Sequence, residues 1–176
     1  MSGMKRFLLV SGAAAAAALA GLAPALGQSS ALKGHDSNAP VDVAADRIEV
    51  QDRADRAIFS GNVVVRQAAL TMNSARLTVA YSSAGGIEIQ RLDASGGVTV
   101  RSPSETARGE FAIYDLDKRI ITLIGGVTLT RGPSHVKGGR LTIDLESGRA
   151  VMDAPGTSND GGRVTGTFTV PRSRGN

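Results

Sequence analysis

The feature that most constrains this fold is a segment that occurs three times and begins a fourth copy. Each copy has a short alternating apolar run, a turn, and a longer run in which glycine closely precedes valine. The matching valines are Val63, Val98 and Val127, roughly 30 residues apart, a spacing typical of repeat architectures. The fourth copy opens at residues 139–145 and then departs from the pattern. Because one repeat cannot bury its own apolar face, neighbouring copies must stack.

Apolar and polar residues alternate at period two from residue 41 to residue 170, which predicts half-buried β-strands and an all-β domain. Gly61, Gly96 and Gly125 fall on the apolar face in the middle of the three long runs. A glycine inside a strand marks a bend or a bulge. Three of them at one repeat position predict a sheet that folds over along one line, as in a sandwich, a jelly roll or a β-solenoid.

The N-terminus has the three parts of a secretory signal peptide. Lys5 and Arg6 are followed by an apolar run over residues 7–22 and by the small residues Ala25 and Gly27. The run is shorter than the roughly 20 residues that a membrane span needs. The expected organisation is a cleaved signal peptide at 1–27, a disordered lead at 28–40, one β-domain at 41–170 and a disordered tail at 171–176.

Residues that carry chemistry are scarce. The chain has no cysteine, and its two histidines, His35 and His135, have no second ligand type around them at metal-binding spacing. The formal net charge is +4, and the charged residues occur singly along the chain. This distribution differs from the concentrated basic patch of a nucleic-acid binder. We therefore expect a protein that is not an enzyme, has no catalytic residue, metal or cofactor, and does not bind nucleic acid.

The remaining candidate for a functional surface is the aliphatic inner face of the strands. One interpretation is that these residues form a filled core. The other is that the sheet does not close fully, so that the aliphatic lining holds an apolar ligand, because pockets lined by Val, Ile and Leu suit alkyl chains. The alternation alone is the same in both cases.

The first copy resembles the opening of a known family. Within residues 45–67 an alternating strand and a turn lead to Phe59, then to Gly-Asn-Val at 61–63 and to Gln67. This arrangement is similar to that of the OstA-like/LptA family of periplasmic lipopolysaccharide-transport proteins. The resemblance covers roughly residues 41–152 and weakens at the fourth copy and in the loop at 154–162.

The resemblance implies a bent, partly open antiparallel β-jelly roll, V-shaped and built of repeats. It implies a periplasmic carrier that binds the acyl chains of lipopolysaccharide in an apolar groove and passes the lipid from the inner to the outer membrane. The implied partners are lipopolysaccharide or a related glycolipid, related β-jelly-roll domains of inner-membrane and outer-membrane components, and further copies joined head-to-tail. The alternative is a structural β-solenoid of the envelope or of a filament, with a dry core.

The groove interpretation takes its candidate residues from the apolar positions of the matched strands. These candidates are Ile48, Val50, Phe59, Val63, Val65, Leu77, Val79, Val98, Val100, Phe111, Ile113, Leu123, Val127, Leu129, Leu141 and Ile143.

Overall fold

The computed structural model of the chain describes residues 35–156 and 162–170. The predicted signal peptide, residues 28–34 of the predicted lead and the predicted tail lie outside these described residues. The described part contains a short 3-10 helix, Asp52–Ala54, and ten strands. The strands are β1 (Asp42–Ala44), β2 (Arg47–Gln51), β3 (Arg56–Gln67), β4 (Leu70–Ser82), β5 (Glu88–Arg101), β6 (Glu105–Asp115), β7 (Ile120–Arg131), β8 (Ser134–Asp144), β9 (Arg149–Asp153) and β10 (Thr165–Thr167).

The described strands form one antiparallel ladder that is divided at both ends. The order is β1-β3-β4-β5-β6-β7-β8-β10, while β2 pairs with β3 and β9 pairs with β8. β1 and β2 take different halves of β3, at residues 64–66 and 56–60. β10 and β9 divide β8 in the same way, at residues 135–137 and 140–144. We name the half that ends in β1 and β10 the β1 arm, and the half that ends in β2 and β9 the β2 arm.

The arms meet along a line of register shifts, which we name the crease. At each shift in β3, β5 and β7, two residues of that strand stand opposite one residue of the next strand, which is a β-bulge. Glycine lacks a Cβ and asparagine tolerates the left-handed region, so such pairs adopt the positive φ that the bulge needs. The φ values are 79° and 45° at Gly61 and Asn62, 83° and 79° at Gly96 and Gly97, and 87° and 52° at Gly125 and Gly126.

The first glycine of each pair is also packed against a neighbour. A Cβ on Gly96 would lie 2.6 Å from the Cβ of Ala75, and a Cβ on Gly125 would lie 2.8 Å from that of Glu110. Gly97 and Gly126 face open space. The repeated Gly-x-Val sequence therefore has two physical causes, because the first position needs both a left-handed backbone and the absence of a side chain.

The inner faces of both arms form one apolar core. Val100 and Ala107 of the β1 arm and Ile143 of the β2 arm line the same small cavity of about 10 Å³, so the two arms face each other. The all-β class and the bent, partly open antiparallel jelly roll are confirmed, with the bends at the predicted glycine positions. The run from Val164 to Val170 contributes the three-residue strand β10.

Candidate functional site

The candidate site is the apolar inner face, and two rows of residues cross it on the β2 arm. Each row takes one residue from every strand between β2 and β9, so the apolar surface is continuous along the arm. One row contains Ile48, Phe59, Leu77, Ala94, Ala112, Leu123, Leu141 and Met152, and the other contains Val50, Ala57, Val79, Leu92, Tyr114, Ile121, Ile143 and Ala150.

A matching row crosses the β1 arm, from the first strand of the ladder to the last. It contains Val43, Val65, Met72, Val100, Ala107, Leu129, Val136 and Gly166. The last residue of this row is Gly166, which has no side chain. The apolar interior therefore runs the whole length of the ladder and becomes thinner at β10.

The middle of this interior is filled. Ten of the sixteen predicted groove residues are buried, and Leu77, Leu123 and Leu141 are 0 % exposed. Phe59 and Leu129 are partly buried against the same core. Ile48 and Val50 lie on the inner face but at the β2 edge, so they are 55 % and 56 % exposed. The buried set consists of Val63, Val65, Leu77, Val79, Val98, Val100, Leu123, Val127, Leu141 and Ile143.

The prediction that Phe111 and Ile113 face inward is wrong. β6 buries Ala112 and Tyr114 instead, and Phe111 is 50 % exposed. The cause is the register shift between Arg108 and Phe111, which moves every later residue of β6 to the opposite face. The alternation that starts at Ala107 therefore does not continue unchanged through the crease.

The interior is open at both ends of the ladder. At the β1–β2 end a cavity of about 350 Å³ is lined mainly by apolar side chains, among them Val41, Val43, Phe59 and Val79. At the β9–β10 end a cavity of about 340 Å³ is lined by residues that include Leu129, Val136, Ala150 and Phe168. Each cavity has walls from both arms, so each is a mouth between the arms where the core ends.

A polar cluster closes the side of the V that lies opposite the crease. Gln67 of the β1 arm is 2 % exposed. The Tyr114 hydroxyl of the β2 arm donates a 2.8 Å hydrogen bond to its Oε1. His35 Nε2 lies 3.1 Å from the same oxygen, which only accepts, so Nε2 is the donor. Gln67 Nε2 donates to the carbonyl oxygens of Ser37 and Ala39 at 3.0 Å.

This cluster, which we name the clasp, comprises Gln67, Tyr114, the His35 side chain and the backbone carbonyl groups of Ser37 and Ala39. It joins the two arms and holds the last part of the predicted lead, residues 35–40, against the sheet. Burial raises the pKa of the Tyr114 phenol above its ordinary value of 10.0. The sequence marks Gln67 only through the family resemblance, and the predicted inward facing of Phe111 and Ile113 turns Tyr114 outward, so the sequence does not predict their contact.

A second polar pair lies at the β9–β10 end. Glu105 is 5 % exposed, and Arg131 Nε donates a 2.6 Å hydrogen bond to its Oε1 from the neighbouring strand. Both residues line the end cavity beside Leu129. A buried carboxylate needs such a partner, because an unpaired charge away from water is strongly unfavourable. The pair gives a charged rim to this mouth, which Ser134 and His135 also line.

Among residues 35–156 and 162–170 there is no group of three or more His, Cys, Asp or Glu side chains placed to hold a metal ion. No helix in the same ranges is long and apolar enough to cross a membrane. What the arrangement does offer is an apolar interior between two arms, with a mouth at each end.

Residues 42–149 match the protein family described as LptA/(LptD N-terminal domain) LPS transport protein. The chain belongs to this family. The match covers the ladder from β1 to the start of β9, which includes the whole crease and the clasp residues Gln67 and Tyr114. Strand β10 lies beyond it.

Two similar proteins place this LPS transport family member among its relatives. A protein of Rhizobium meliloti (strain 1021), named as uncharacterized, is 33 % identical over 159 residues, which cover 81 % of this chain and 86 % of the relative. The crystal structure of LptH, the LptA-homologous periplasmic component of the lipopolysaccharide transport device of Pseudomonas aeruginosa, aligns with a TM-score of 0.67 at 18 % identity. That alignment covers 77 % of this chain and 99 % of LptH, and it shows a shared fold.

Proposed function

We propose that this chain is a periplasmic carrier that holds the acyl chains of lipopolysaccharide between its two arms. The observation that carries the proposal is the apolar interior, which is continuous along the ladder and ends in a largely apolar mouth of about 350 Å³ and a mixed polar and apolar mouth of about 340 Å³. Family membership supports lipopolysaccharide as the ligand, and the predicted export signal at residues 1–27 supports the periplasm as the compartment.

Binding requires the arms to move apart, because the middle of the interior is filled. Each methylene group that leaves water contributes about 0.8 kcal/mol, so a few acyl chains of ordinary length offset the loss of contacts between the arms. The polar clasp is then the contact that limits opening on the side away from the crease. No covalent step is needed, since the cargo enters and leaves unchanged.

Transport from the inner to the outer membrane requires partners on both sides. The proposed partners are related jelly-roll domains of inner-membrane and outer-membrane components, together with further copies of this chain. The ends of the ladder suit such contacts, because an edge strand presents unpaired N–H and C=O groups that accept another strand. The energy for directional movement comes from these partners.

A matched pair of phenylalanines tests the carrier. Phe59 lines the β1–β2 mouth on the inner face, whereas Phe111 lies on the outer face. Each is replaced in turn by the photo-reactive amino acid p-benzoyl-phenylalanine, and the protein is illuminated with lipopolysaccharide. We expect adducts from position 59 and few from position 111. Equal labelling of both positions, or labelling of position 111 alone, would reject the groove.

The filled middle also favours a second candidate, a structural β-solenoid with a dry core. It predicts that the mouths do not widen and that no lipid enters. A solvatochromic fatty-acid probe separates the two functions. A blue shift that lipopolysaccharide reverses supports the carrier, while an unchanged spectrum with a folded protein supports the structural role.

A further inference from the structure

We propose that the outer face of the β1 arm docks on the surface of an anionic phospholipid bilayer. This face consists of the residues of the arm that alternate with the inward row from Val43 to Gly166 and point away from the interior. Its basic residues are Arg66, Arg101, Arg108 and Lys137. The inference goes beyond the carrier function, because it concerns the outside of the V and needs no lipid in the interior.

The outer face of the β1 arm carries an unbalanced charge. All four cations are exposed, and none of them forms an ion pair with another residue in the described part of the chain. The rows of opposed residues that cross the face contain one acidic residue, Asp42, at the edge on β1. The cations come from β3, β5, β6 and β8 and occur singly in the sequence, so only the pairing of strands brings them to one side.

The outer face of the β2 arm differs, because charges of opposite sign lie next to each other there. Arg91 forms an ion pair of 2.8 Å with Asp93. Arg47 lies 3.8 Å from a carboxylate oxygen of Glu49. Opposite charges at such short separations largely cancel at the distance over which salt screens the rest of the field. An anionic surface therefore attracts the molecule by its β1 arm.

The spacing of the cations fits an extended surface better than one small anion. Arg66 and Arg101 are separated by a threonine on the strand between them, and so are Arg108 and Lys137. Each gap is two strand spacings, about 9–10 Å. A single phosphate group cannot bridge that distance, whereas a bilayer presents many phosphates side by side. The threonine hydroxyls between the cations are further hydrogen-bond donors for phosphate oxygens.

The composition of the face also indicates which polyanion it suits. The rows that cross it contain no aromatic residue, although proteins that bind single-stranded nucleic acid stack the bases on aromatic rings. The same rows contain no large apolar residue that could enter the acyl region, since Val64 is half-buried. Contact with a bilayer is therefore electrostatic and reversible, and it weakens as the salt concentration rises.

The end of the chain adds to the charge of this arm. β10 pairs with β8 beside Lys137, so the chain leaves the ladder at the β1 arm. Residues 162–176 contain three arginines, at positions 163, 172 and 174, and no acidic residue. Arg163 is exposed, and Arg172 follows the described residues by two positions, within about 7 Å of chain. These cations strengthen the attraction of the same side to an anionic surface.

Docking by the outer face keeps the interior accessible. The two mouths lie at the ends of the ladder and not on the outer face of an arm, so neither is covered by the bilayer. The ladder then lies along the membrane. The docked molecule is a free copy held close to membrane-bound partners, and it differs in orientation from a bridge between two membranes.

Two matched double variants test the face. Arg108→Gln with Lys137→Gln removes two exposed charges from the β1 arm, and Arg76→Gln with Arg140→Gln removes two from the outer face of the β2 arm. The predicted mature chain, residues 28–176, is sedimented with vesicles of equal parts phosphatidylglycerol and phosphatidylcholine. Each cation near such a surface strengthens binding about fivefold, so the first variant should bind about 25-fold more weakly. The second should lose less than about threefold, because its charges lie on the other arm.

The remaining outcomes of this experiment are equally decisive. Circular dichroism confirms that both variants are folded before binding is compared. Equal losses in the two variants would show that net charge matters and the β1 arm does not, which overturns the proposal. Failure of the unchanged protein to bind these vesicles overturns it as well, and so does equal binding to vesicles of phosphatidylcholine alone.

A fluorescent label locates the docked side independently. The chain has no cysteine, so Thr128→Cys and Thr122→Cys each provide one site for a nitrobenzoxadiazole dye. Both threonines are half-buried residues of β7, and they lie on the outer faces of different arms. We expect vesicles to shift the emission of the dye to shorter wavelength at position 128 only. Equal shifts at both positions, or a shift at position 122 alone, overturn the assignment of the face.

Competitors distinguish the bilayer from other anions. Glycerol phosphate, at the concentration of the phosphatidylglycerol, should not release the protein, and release would show recognition of a single head group instead. Tighter binding of heparin than of vesicles at equal charge overturns the bilayer as the partner. The vesicles contain no lipopolysaccharide. Vesicle binding without crosslinking of lipopolysaccharide at position 59 therefore rejects the carrier alone, and crosslinking without vesicle binding rejects the docking face alone.

Discussion

Tyr114 of β6 donates a 2.8 Å hydrogen bond to Gln67 of β3, and this contact joins the two arms across 47 residues of sequence. The bond lies on the side of the V opposite the crease, so the arms are connected on both sides. Covalent continuity of the strands connects them at the crease, and a buried polar pair connects them at the clasp. The width of the interior therefore depends on this buried contact as well as on the crease.

Removal of the Tyr114 hydroxyl should weaken the clasp without removing the ring from the core. We expect Tyr114→Phe to lower the free energy of unfolding by about 1 kcal/mol, the net value of one buried hydrogen bond. Gln67→Leu should cost more, because the hydroxyl and the carbonyl groups of Ser37 and Ala39 then lose their partner. Urea unfolding of both single variants and the double variant measures the coupling. Strictly additive effects would contradict a shared clasp.

The clasp should also make stability depend on alkaline pH. Burial raises the folded-state pKa of Tyr114 above 10.0, so the fold favours the neutral phenol. This contribution is complete below the unfolded pKa near 10.0 and is lost as the pH rises through the raised folded value. Tyr114→Phe should therefore flatten the alkaline decline in the urea midpoint.

The other tyrosine provides the control for this pH dependence. Burial and the nearby Asp52 also raise the pKa of Tyr81, so Tyr81→Phe isolates the share that belongs to Tyr114. The chain has two tyrosines and no tryptophan, so the near-ultraviolet absorbance of phenolate reports both titrations directly. An alkaline decline that is unchanged in Tyr114→Phe would show that another group causes it.

The two glycines at the β5 crease form a matched pair of test positions. Alanine at Gly97 should cost about 1–2 kcal/mol, since the backbone there is left-handed and the space is open. Alanine at Gly96 meets the same backbone strain and in addition the Cβ of Ala75 at 2.6 Å. We expect its cost to exceed that of Gly97→Ala by about 1 kcal/mol or more. Thermal and urea unfolding give both values, and equal costs would mean that the crease is not closely packed.

Because Phe111 of β6 faces outward, its replacement should lower the stability much less than replacement of the buried Leu123 of the neighbouring strand β7. Leu123 is 0 % exposed, so Leu123→Ala should lower the free energy of unfolding by about 2–5 kcal/mol. Phe111 lies on the outer face, and Phe111→Ala should cost less than about 1 kcal/mol. Denaturant titration of the two variants measures both. A larger loss at position 111 would restore the inward orientation that the sequence pattern alone predicts.

Most of the ladder follows from local chemistry, which is why the sequence predicts it. Alternation at period two defines strands, and glycine at 61, 96 and 125 marks where they bend. Which side chains of β6 point inward does not follow from local sequence. The residue of β6 that stands opposite the glycine pair of β5 is Glu110, an ordinary residue that does not mark a bend. One unpaired residue is enough to exchange the inner and outer faces of everything after it.

Whether the interior is filled or open depends on the folded molecule and cannot be read from the alternation of apolar and polar residues. The same aliphatic sequence fills a core or lines a groove, and the difference depends on how far apart the arms stand. That distance is set by tertiary contacts such as the one between Gln67 and Tyr114. The exposure of the last segment is equally absent from the sequence pattern, because Val164, Phe168 and Val170 alternate as regularly as buried residues do.

The left-handed pairs of the crease occur in β3, β5 and β7, once in each strand–turn–strand unit. The cross-section of the interior is consequently independent of how many such units the chain contains. Insertion of one whole unit would lengthen the domain by two strand spacings, about 9–10 Å, and keep every bend aligned. Insertion of a single strand would place the next glycine pair on the wrong partner. The length of this domain can therefore change only in steps of two strands, while the cross-section of its interior stays the same.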